Sequence, residues 1–138
     1  MSAPRALAAT YAAAFPDERG WSAEEFAALL AAPGAILAGD ASGFVLGRVT
    51  LDEAEIITLA THPDHRRQGR ARTALEAFHD AARAAGAVTI FLEVAEDNAP
   101  ARALYERMGY ARAGRRPGYY PRAGQSPAAA LILTRPLR

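Results

Sequence analysis

The stretch Thr61–Arg72 reads THPDHRRQGRAR and joins an apolar run to an alanine-rich amphipathic pattern. Its position between the two patterns predicts a polar loop that leads from a strand into a helix. The first N–H groups of a helix lack partners within the helix, and the helix dipole favours negative charge there. Gly69 has no Cβ to keep an anion away from the backbone, and four arginines between positions 66 and 72 add positive charge. We therefore predict a cradle for the diphosphate of a cofactor.

Upstream of this loop, the sequence predicts two helices and three strands. The first helix is expected over residues 5–14, and the second begins at Ser22, because Ser22 and Glu25 have the spacing of a capping box. The strands are expected at Ala35–Ala38, Phe44–Thr50 and Ala54–Thr61. Their short connections predict an antiparallel meander.

Downstream of the loop, apolar residues at helical spacing between positions 71 and 85 predict a third helix. His79 lies among the polar positions of this helix and is expected to be solvated. Val88–Val94 is a nearly continuous apolar run, which is typical of a strand buried on both faces and parallel to a neighbour. Asn98 is expected to cap a fourth helix, which Gly109 ends.

The last part of the chain predicts a pair of strands at Tyr110–Gly114 and Ala128–Thr134. A long loop that contains residues 117–121 is expected between them. Taken together, the order of elements predicts an α/β layered fold in which helices cover a mixed sheet.

Length and composition limit the class of protein. A chain of 138 residues fits one domain over 1–138, and its 51% apolar content is enough for a core. The formal net charge of +1 gives little support to a nucleic-acid binder. The lack of cysteine excludes a thiol nucleophile, disulfides and thiolate metal sites. Since no signal peptide or membrane-spanning run is visible, a soluble cytoplasmic protein is the default expectation.

Two residues after the loop could take part in proton transfer. Glu93 lies near the end of an apolar strand, where clefts often form, although the residue alone is better explained as a strand-end glutamate that reaches solvent. Tyr105 lies on the apolar stripe of the fourth helix and, taken alone, is better explained as a core tyrosine with a satisfied hydroxyl. His62 and His65 form an H-x-x-H pair, but a metal site would need further ligands that the sequence does not offer. No metal is therefore expected.

Several separate motifs occur in the order of one known family. The segment Arg66-Arg67-Gln68-Gly69-Arg70-Ala71 matches the signature Q/R-x-x-G-x-G/A, and the span Trp21–Leu137 resembles the GNAT superfamily of acyl-CoA-dependent N-acetyltransferases. Within it, the likeness is greatest to the RimI group of bacterial enzymes, which modify the N-termini of ribosomal proteins. The pieces that carry this likeness are Trp21-Ser22 with Phe26, Leu51-Asp52-Glu53-Ala54, Leu92-Glu93-Val94, Asn98-Ala99, Ala103-Leu104-Tyr105 and Tyr119-Tyr120-Pro121.

The resemblance implies a mixed, mainly antiparallel central sheet flanked by helices, with acetyl-CoA as co-substrate and no metal. It places Glu93 as the general base and Tyr105 as the general acid. The positions that it implies for cofactor binding are Leu59, Ala60, Thr61, Arg67, Gln68, Gly69, Arg70, Ala71, Arg72 and Asn98. The implied acceptor is the N-terminal alanine amine of a small-subunit ribosomal protein, without direct contact to nucleic acid or membrane.

Three departures from the family pattern bear on these expectations. Ala71 replaces the second glycine of the signature, as the pattern permits. The family normally has a strand ahead of its first helix, whereas this sequence opens almost at a helix, so that strand is expected to be absent or vestigial. RimI proteins often carry acidic residues after the Tyr-Tyr-Pro loop, and here Gln125-Ser126-Pro127 follows it. A preference for a basic peptide is therefore in doubt.

Other functions remain compatible with the sequence. The acceptor could be a small-molecule amine or a lysine side chain on the same fold. Two non-enzymatic alternatives are a nucleic-acid-binding module that uses the basic loop and an acyl-CoA sensor without turnover. The small net charge disfavours nucleic-acid binding.

Overall fold

The computed structural model describes residues 3–16 and 20–138. Within them the helices are α1 (Ala3–Ala14), α2 (Ala23–Ala31), α3 (Arg70–Ala84) and α4 (Ala99–Arg107). The strands are β1 (Ala35–Asp40), β2 (Gly43–Thr50), β3 (Glu53–Thr61), β4 (Thr89–Ala95), β5 (Ala111–Tyr120) and β6 (Ala128–Pro136). The first described element is thus a helix, and the sheet starts with β1.

The start of α2 is set by the predicted capping box. The Ser22 hydroxyl accepts a hydrogen bond from the Glu25 N–H, and the Glu25 carboxylate accepts one from the Ser22 N–H, both at 3.1 Å. Each bond pairs an N–H group that the helix leaves without a partner. Phe26 follows one residue later and is fully buried. The capping box therefore fixes where α2 begins to pack on the sheet.

The sheet is mixed and mainly antiparallel, as the resemblance implied. Its strand order is β1-β2-β3-β4-β6-β5, and only the β3–β4 pair is parallel. The predicted meander of β1, β2 and β3 is confirmed. The strand β4 is parallel to β3, as predicted, but its other neighbour, β6, is antiparallel to it. It is also buried on one face only, because Ile90, Leu92 and Val94 are buried while the alternating residues are half-buried.

A bulge in β3 opens the middle of the sheet. Leu46 pairs with Thr58, whereas the next residue, Gly47, pairs with Ile56, so Ile57 is an extra residue in β3. The pairing between β3 and β4 ends at the same point, with Ile56 opposite Leu92. Both strands continue beyond it without pairing to each other. Since a bulge bends a strand and increases its twist, it separates the ends of β3 and β4 and leaves a gap between them.

The end of the chain differs from the prediction. The strand β5 continues through Pro117 and Gly118 to Tyr120, where a loop was expected, so the connection to β6 covers only residues 121–127. Proline is tolerated here because β5 lies at the edge of the sheet, where one side of the strand needs no donors. The pairing with β6 is irregular between Arg116 and Tyr120. The segment with the Tyr-Tyr pair is thus held by the sheet.

Two apolar cores lie on opposite faces of the sheet. The α3 side is the larger core and includes Leu75, Phe78, Ile90, Leu92, Val94, Tyr105, Tyr110, Leu131 and Leu133. The other core, on the α1 and α2 side, contains Leu7, Ala14, Phe26, Phe44, Leu46 and Ala60. The bulge explains why β3 contributes side chains to both cores. Ile56, before the extra residue, belongs to the larger core, and Ala60, after it, belongs to the other.

The prediction that His79 is solvated is wrong. Its residue is only 2% exposed, and its ring lies between Tyr110 and Arg135 on the α3 side. Both partners come from segments that follow α3 in the chain, so the helix pattern alone did not reveal them.

None of the helices in the described part of the chain is long and apolar enough to cross a bilayer.

Candidate active site

The predicted loop leads into α3 through two residues of left-handed conformation. A short 3-10 turn covers Pro63–His65, and Arg67 and Gly69 then have φ angles of 64° and 72°. Gly69 is the N-cap of α3, and no side chain forms a capping hydrogen bond there. The N–H groups of the first turn are therefore not occupied by a side-chain cap. This is the arrangement that an anion-binding helix start requires.

The space above Gly69 is open. A Cβ built on this glycine would have no heavy atom within 4 Å. Because the backbone is left-handed at this position, glycine also avoids the strain that any other residue would bring. A ligand oxygen can therefore approach the backbone at Gly69 from the side that a side chain would otherwise cover.

The arginines of the loop have different partners. Arg66 donates to the Ala14 carbonyl at 3.2 Å and so ties the loop to the end of α1. Arg72 pairs with Glu76 one helical turn later at 3.0 Å. Arg67 forms no hydrogen bond or ion pair with another described residue. Of these three arginines, Arg67 can reach an incoming anion without first leaving a partner in the described chain.

Arg70 and Gln68 lie together at the side of the loop. The Arg70 guanidinium donates to the Gln68 side-chain oxygen at 3.0 Å and to the Ser42 hydroxyl at 2.6 Å. The bond to Ser42 connects the start of α3 to the β1–β2 turn, and the bond to Gln68 connects it to the preceding loop. They hold the cradle against the sheet.

One large cavity of about 930 Å³ extends from this loop to α4. It contains nine of the ten residues predicted to bind the cofactor: Leu59, Ala60, Thr61, Arg67, Gly69, Arg70, Ala71, Arg72 and Asn98. The tenth, Gln68, lines a smaller neighbouring cavity of about 370 Å³ instead. The structure therefore brings together residues from β3, the loop, α3 and the start of α4.

The gap between β3 and β4 forms one wall of the cavity. Leu59, Ala60 and Thr61 line it from the part of β3 that follows the bulge, and Ala95 lines it from the end of β4. Because β3 is paired with β2 but not with β4 beyond Ile56, its backbone groups on the open side have no strand partner. An extended ligand can pair with this strand edge.

Asn98 has the predicted capping role as well as a position in the cavity. Its side-chain oxygen accepts a hydrogen bond from the Ala101 N–H at 3.3 Å at the start of α4. The amide group of the same side chain still has donors that the cap does not use. Asn98 can therefore hold the helix start and contact a ligand at the same time.

Glu93 lies beyond the point where β3 and β4 separate. Its side chain is 28% exposed and lies on the face of β4 opposite Leu92 and Val94. Its Oε1 atom forms an ion pair with Nη2 of Arg116, on β5, at 3.1 Å. Glu93 itself does not line the large cavity, whereas Ala95, two residues along the same face, does. The carboxylate thus lies beside the gap, on the α1 and α2 side of the sheet.

Tyr105 lies on the other face of the sheet and does not itself line the large cavity. It is 6% exposed within the larger core, and its ring lies 5.5 Å from that of Tyr110. Burial, with a smaller contribution from Tyr120, raises the pKa of the Tyr105 hydroxyl above its usual value. The hydroxyl makes no hydrogen bond with any described residue. It is therefore neutral at ordinary pH and retains its hydrogen-bonding capacity toward a ligand.

Glu93 and Tyr105 consequently lie on opposite faces of the sheet. The core that contains Tyr105 also contains Leu92 and Val94, which alternate with Glu93 along β4. In a closed sheet, two such groups could not act on one molecule. Here one molecule could meet both only from the gap between β3 and β4. Residues of both strands at this gap line the large cavity, but neither Glu93 nor Tyr105 does.

Three further residues at or beside the cavity were not among the predicted site residues. Asp97 and Arg122 both line it and form a two-point ion pair, with distances of 2.8 Å and 2.9 Å. Arg116 is the third, through its contact with Glu93. Their pairing joins the β5–β6 hairpin to the end of β4, so it depends on contacts between residues that are distant in sequence.

The histidine pair of the loop has local roles. His62 caps the 3-10 turn by accepting from the Asp64 N–H at 3.2 Å, and Nδ1 of His65 lies 3.4 Å from the Gln68 oxygen. Over the described ranges 3–16 and 20–138, no cluster of three or more metal-ligating side chains is present.

Comparison with known proteins points to one family. The family model described as "Acetyltransferase (GNAT) family" matches residues 4–110. The [ribosomal protein bS18]-alanine N-acetyltransferase of Escherichia coli K12 is 42% identical over 83 residues, which are 60% of this chain and 56% of that protein. The N-alpha-acetyltransferase RimI of Mycobacterium tuberculosis is 38% identical over 91 residues, 66% of this chain and 56% of that protein. The chain thus spans little more than half the length of these curated relatives.

A solved structure agrees over a longer span. The crystal structure of the ribosomal-protein-S18-alanine N-acetyltransferase from Escherichia coli has a TM-score of 0.86 and 32% identity to this chain. The superposition covers 97% of this chain and 87% of the chain in that crystal structure. These similarities confirm the GNAT fold and the likeness to the RimI group that the motifs indicated. The chain belongs to the acetyltransferase (GNAT) family.

Proposed function

We propose that this chain transfers the acetyl group of acetyl-CoA to the N-terminal α-amine of a ribosomal protein that begins with alanine. The observation that carries the proposal is the continuous cavity from the uncapped start of α3 to the gap between β3 and β4. Two relatives of this chain are named for acetylation of the alanine of ribosomal protein bS18.

The cavity fits the shape and charge of a CoA ester. Acetyl-CoA would supply the activated acetyl group, and its diphosphate suits the open amides around Gly69 and the cation of Arg67. The long amide-containing arm suits the unpaired edge of β3 at Leu59, Ala60 and Thr61. Asn98 offers a further donor near the start of α4. At about 930 Å³, the cavity is at the upper end of the usual range for small-molecule sites.

Glu93 would remove the proton that makes the acceptor unreactive. An amine attacks a carbonyl carbon only when it is unprotonated, and an α-amine, with an unperturbed pKa of about 8, loses its proton more easily than lysine, at about 10.4. Glu93 lies beside the gap with 28% of its side chain exposed, so an amine can reach it directly or through one water. This favours an N-terminal amine over a lysine side chain.

Tyr105 would return a proton to the departing sulfur. Burial raises the pKa of its hydroxyl, so the residue carries the proton at neutral pH, as a proton donor must. Backbone N–H groups on the open edge of β3 would stabilise the negative charge that develops on the acetyl oxygen.

The proposal is tested by separating cofactor binding from acceptor chemistry. Calorimetric titration with acetyl-CoA and with an adenine dinucleotide should give binding of the first only. Mass spectrometry should then find one acetyl group on the α-amine of a peptide that copies the first residues of bS18 from the same organism. A matched peptide with a blocked N-terminus and one internal lysine should stay unmodified.

The outcomes separate the alternatives. Acetylation of the blocked peptide would identify a lysine side chain as the acceptor, and acetylation of small amines alone would identify a small molecule. Either result would leave the proposed acetyl transfer from acetyl-CoA unchanged. Tight RNA or DNA binding that falls steeply with salt, without CoA binding, would support the nucleic-acid module instead. Ion pairs with carboxylates disfavour that module, because they neutralise part of the basic surface. The arginines in these pairs are Arg72, Arg115, Arg116 and Arg122.

A further inference from the structure

Arginines line much of the large cavity, and most of them have partners within the chain. Two of them, Arg67 and Arg107, form no hydrogen bond or ion pair with another described residue. Asp97 is the one carboxylate among the described lining residues, and it is already paired with Arg122. The cavity therefore offers unpaired positive charge to an anionic ligand. The lining arginines that are held by partners are Arg66, Arg70, Arg72 and Arg122.

Arg107 lies apart from the loop that forms the cradle. It is the last residue of α4, its side chain is exposed, and it lines the cavity together with Ala101, Leu104 and Met108 of the same segment. The helix begins after Asn98, next to the end of β4. With a rise of about 1.5 Å per residue, Arg107 lies roughly 13 Å from that start along the helix axis. The second unpaired cation is thus at the opposite end of α4 from the gap.

CoA carries its negative charge at two separate places. The diphosphate joins the amide-containing arm to the nucleoside, and a further phosphate is attached to the ribose. In the proposed binding mode the arm lies along the edge of β3, and the diphosphate lies at Gly69 beside Arg67. The ribose phosphate then lies on the side of the diphosphate away from the arm, so it needs a cation outside the cradle. A guanidinium suits it, because it can donate two parallel hydrogen bonds to phosphate oxygens.

We propose that Arg107 binds the ribose phosphate of CoA, so that this chain prefers CoA to dephospho-CoA, which lacks this phosphate. The inference rests on the proposed function, since it takes CoA as the ligand of the cavity. Arg107 selects the form of the cofactor and takes no part in the transfer of the acetyl group. Its charge in the last turn of α4 also interacts favourably with the helix dipole, but that effect does not depend on the ligand. A change of ligand therefore separates the two roles.

The test compares the two ligands by calorimetric titration of the folded protein. For the unmodified protein, the dissociation constant should be about three- to fivefold lower for CoA than for dephospho-CoA, the size expected of one exposed charge pair. The preference should decrease at high salt, because exposed charges are screened. Arg107→Gln should bring the ratio of the two dissociation constants close to one and leave the affinity for dephospho-CoA nearly unchanged.

Arg112→Gln is the matched control, because it removes the same charge from an exposed arginine of β5 that does not line the cavity. This variant should keep the preference for CoA. Equal dissociation constants in the unmodified protein, or an unchanged ratio in Arg107→Gln, would overturn the assignment. An equal loss of affinity for both ligands in Arg107→Gln would overturn it too, because Arg107 would then act on the diphosphate or on the helix. If the unmodified protein binds neither ligand, the proposed function fails, and this inference fails with it.

Discussion

The hydroxyl of Tyr110 and Nε2 of His79 lie 2.7 Å apart in the core on the α3 side of the sheet. On the other side of the ring, Nη1 of Arg135 lies 2.8 Å from Nδ1 of His79. A guanidinium can only donate, so Nδ1 must carry the lone pair, and Nε2 then donates its hydrogen to the Tyr110 oxygen. The neutral form of His79 is therefore the one that fits this interior.

The first prediction concerns stability at acidic pH. Burial, and then the positive charge of Arg135, lower the pKa of His79 from 6.5 to about 4. Because the unfolded chain binds this proton more readily, the stabilisation is present above pH 6.5 and is lost as the pH falls toward about 4, by roughly 2–3 kcal/mol. Arg83, Asp80 and Glu76 also act on the ring, with smaller effects. Urea unfolding at pH 7 and pH 4.5 measures the change.

His79→Gln provides the control for this prediction, since glutamine keeps polar atoms at the site but cannot gain a proton. The difference in unfolding free energy between the two pH values should be smaller in His79→Gln than in the unmodified protein. An identical difference in both proteins would show that the acid sensitivity comes from other groups.

Replacement of Glu93 by Gln should slow turnover and leave CoA binding nearly unchanged. The variant removes the proton acceptor, for which losses of about 10²–10⁴ in rate are typical, but changes no residue that lines the large cavity. Steady-state kinetics and calorimetry with CoA separate the two effects. Glu96→Gln removes a nearby carboxylate that pairs with Arg115 and should retain turnover. Weakened CoA binding in Glu93→Gln would mean that its role has been misassigned.

Tyr105→Phe should also lower turnover at unchanged CoA affinity, because the ring still fills the core while the proton donor is lost. A buried tyrosine of the same core serves for comparison. Tyr110→Phe breaks the bond to His79 and should reduce stability by about 1 kcal/mol, while the folded protein stays active. Full activity of Tyr105→Phe would contradict the proposed proton donation.

Two glycines allow the cradle to be tested without confusing strain with binding. Gly69 and Gly86 both have positive φ, 72° and 96°, and a Cβ on either would have no atom within 4 Å. Alanine at each position should therefore destabilise the fold similarly, by about 1 kcal/mol. Only Gly69→Ala should weaken CoA binding, because only Gly69 lines the cavity. Equal CoA affinity in the two variants would argue against a diphosphate at the start of α3.

Local patterns were sufficient for much of the fold. The Ser22–Glu25 capping box and the left-handed turn at Gly69 depend on neighbouring residues, so the local sequence was enough to predict them. The nine predicted residues that share one cavity follow from the family motif, which was recognisable in the sequence. The roles of Glu93 and Tyr105 remain proposals that the kinetics above would test.

The remaining features depend on partners that are distant in sequence. His79 is buried because Tyr110 and Arg135 are brought to it from other elements. The strand β5 passes through Pro117 because it is an edge strand, and strand order cannot be read from the residues of β5. The same holds for Arg116, whose contact with Glu93 requires β6 to lie between their strands.

Because Ile57 is an extra residue, the number of residues in β3 determines which face of the sheet each later side chain occupies. Side chains alternate between faces along a strand, so removal of this single residue would exchange the faces of every position from Thr58 to the end of the strand. Ala60 would move from one core to the other, and β3 could continue its ladder with β4 and close the gap. A point substitution leaves this register unchanged, whereas a one-residue deletion would eliminate the opening between β3 and β4 that forms one wall of the large cavity.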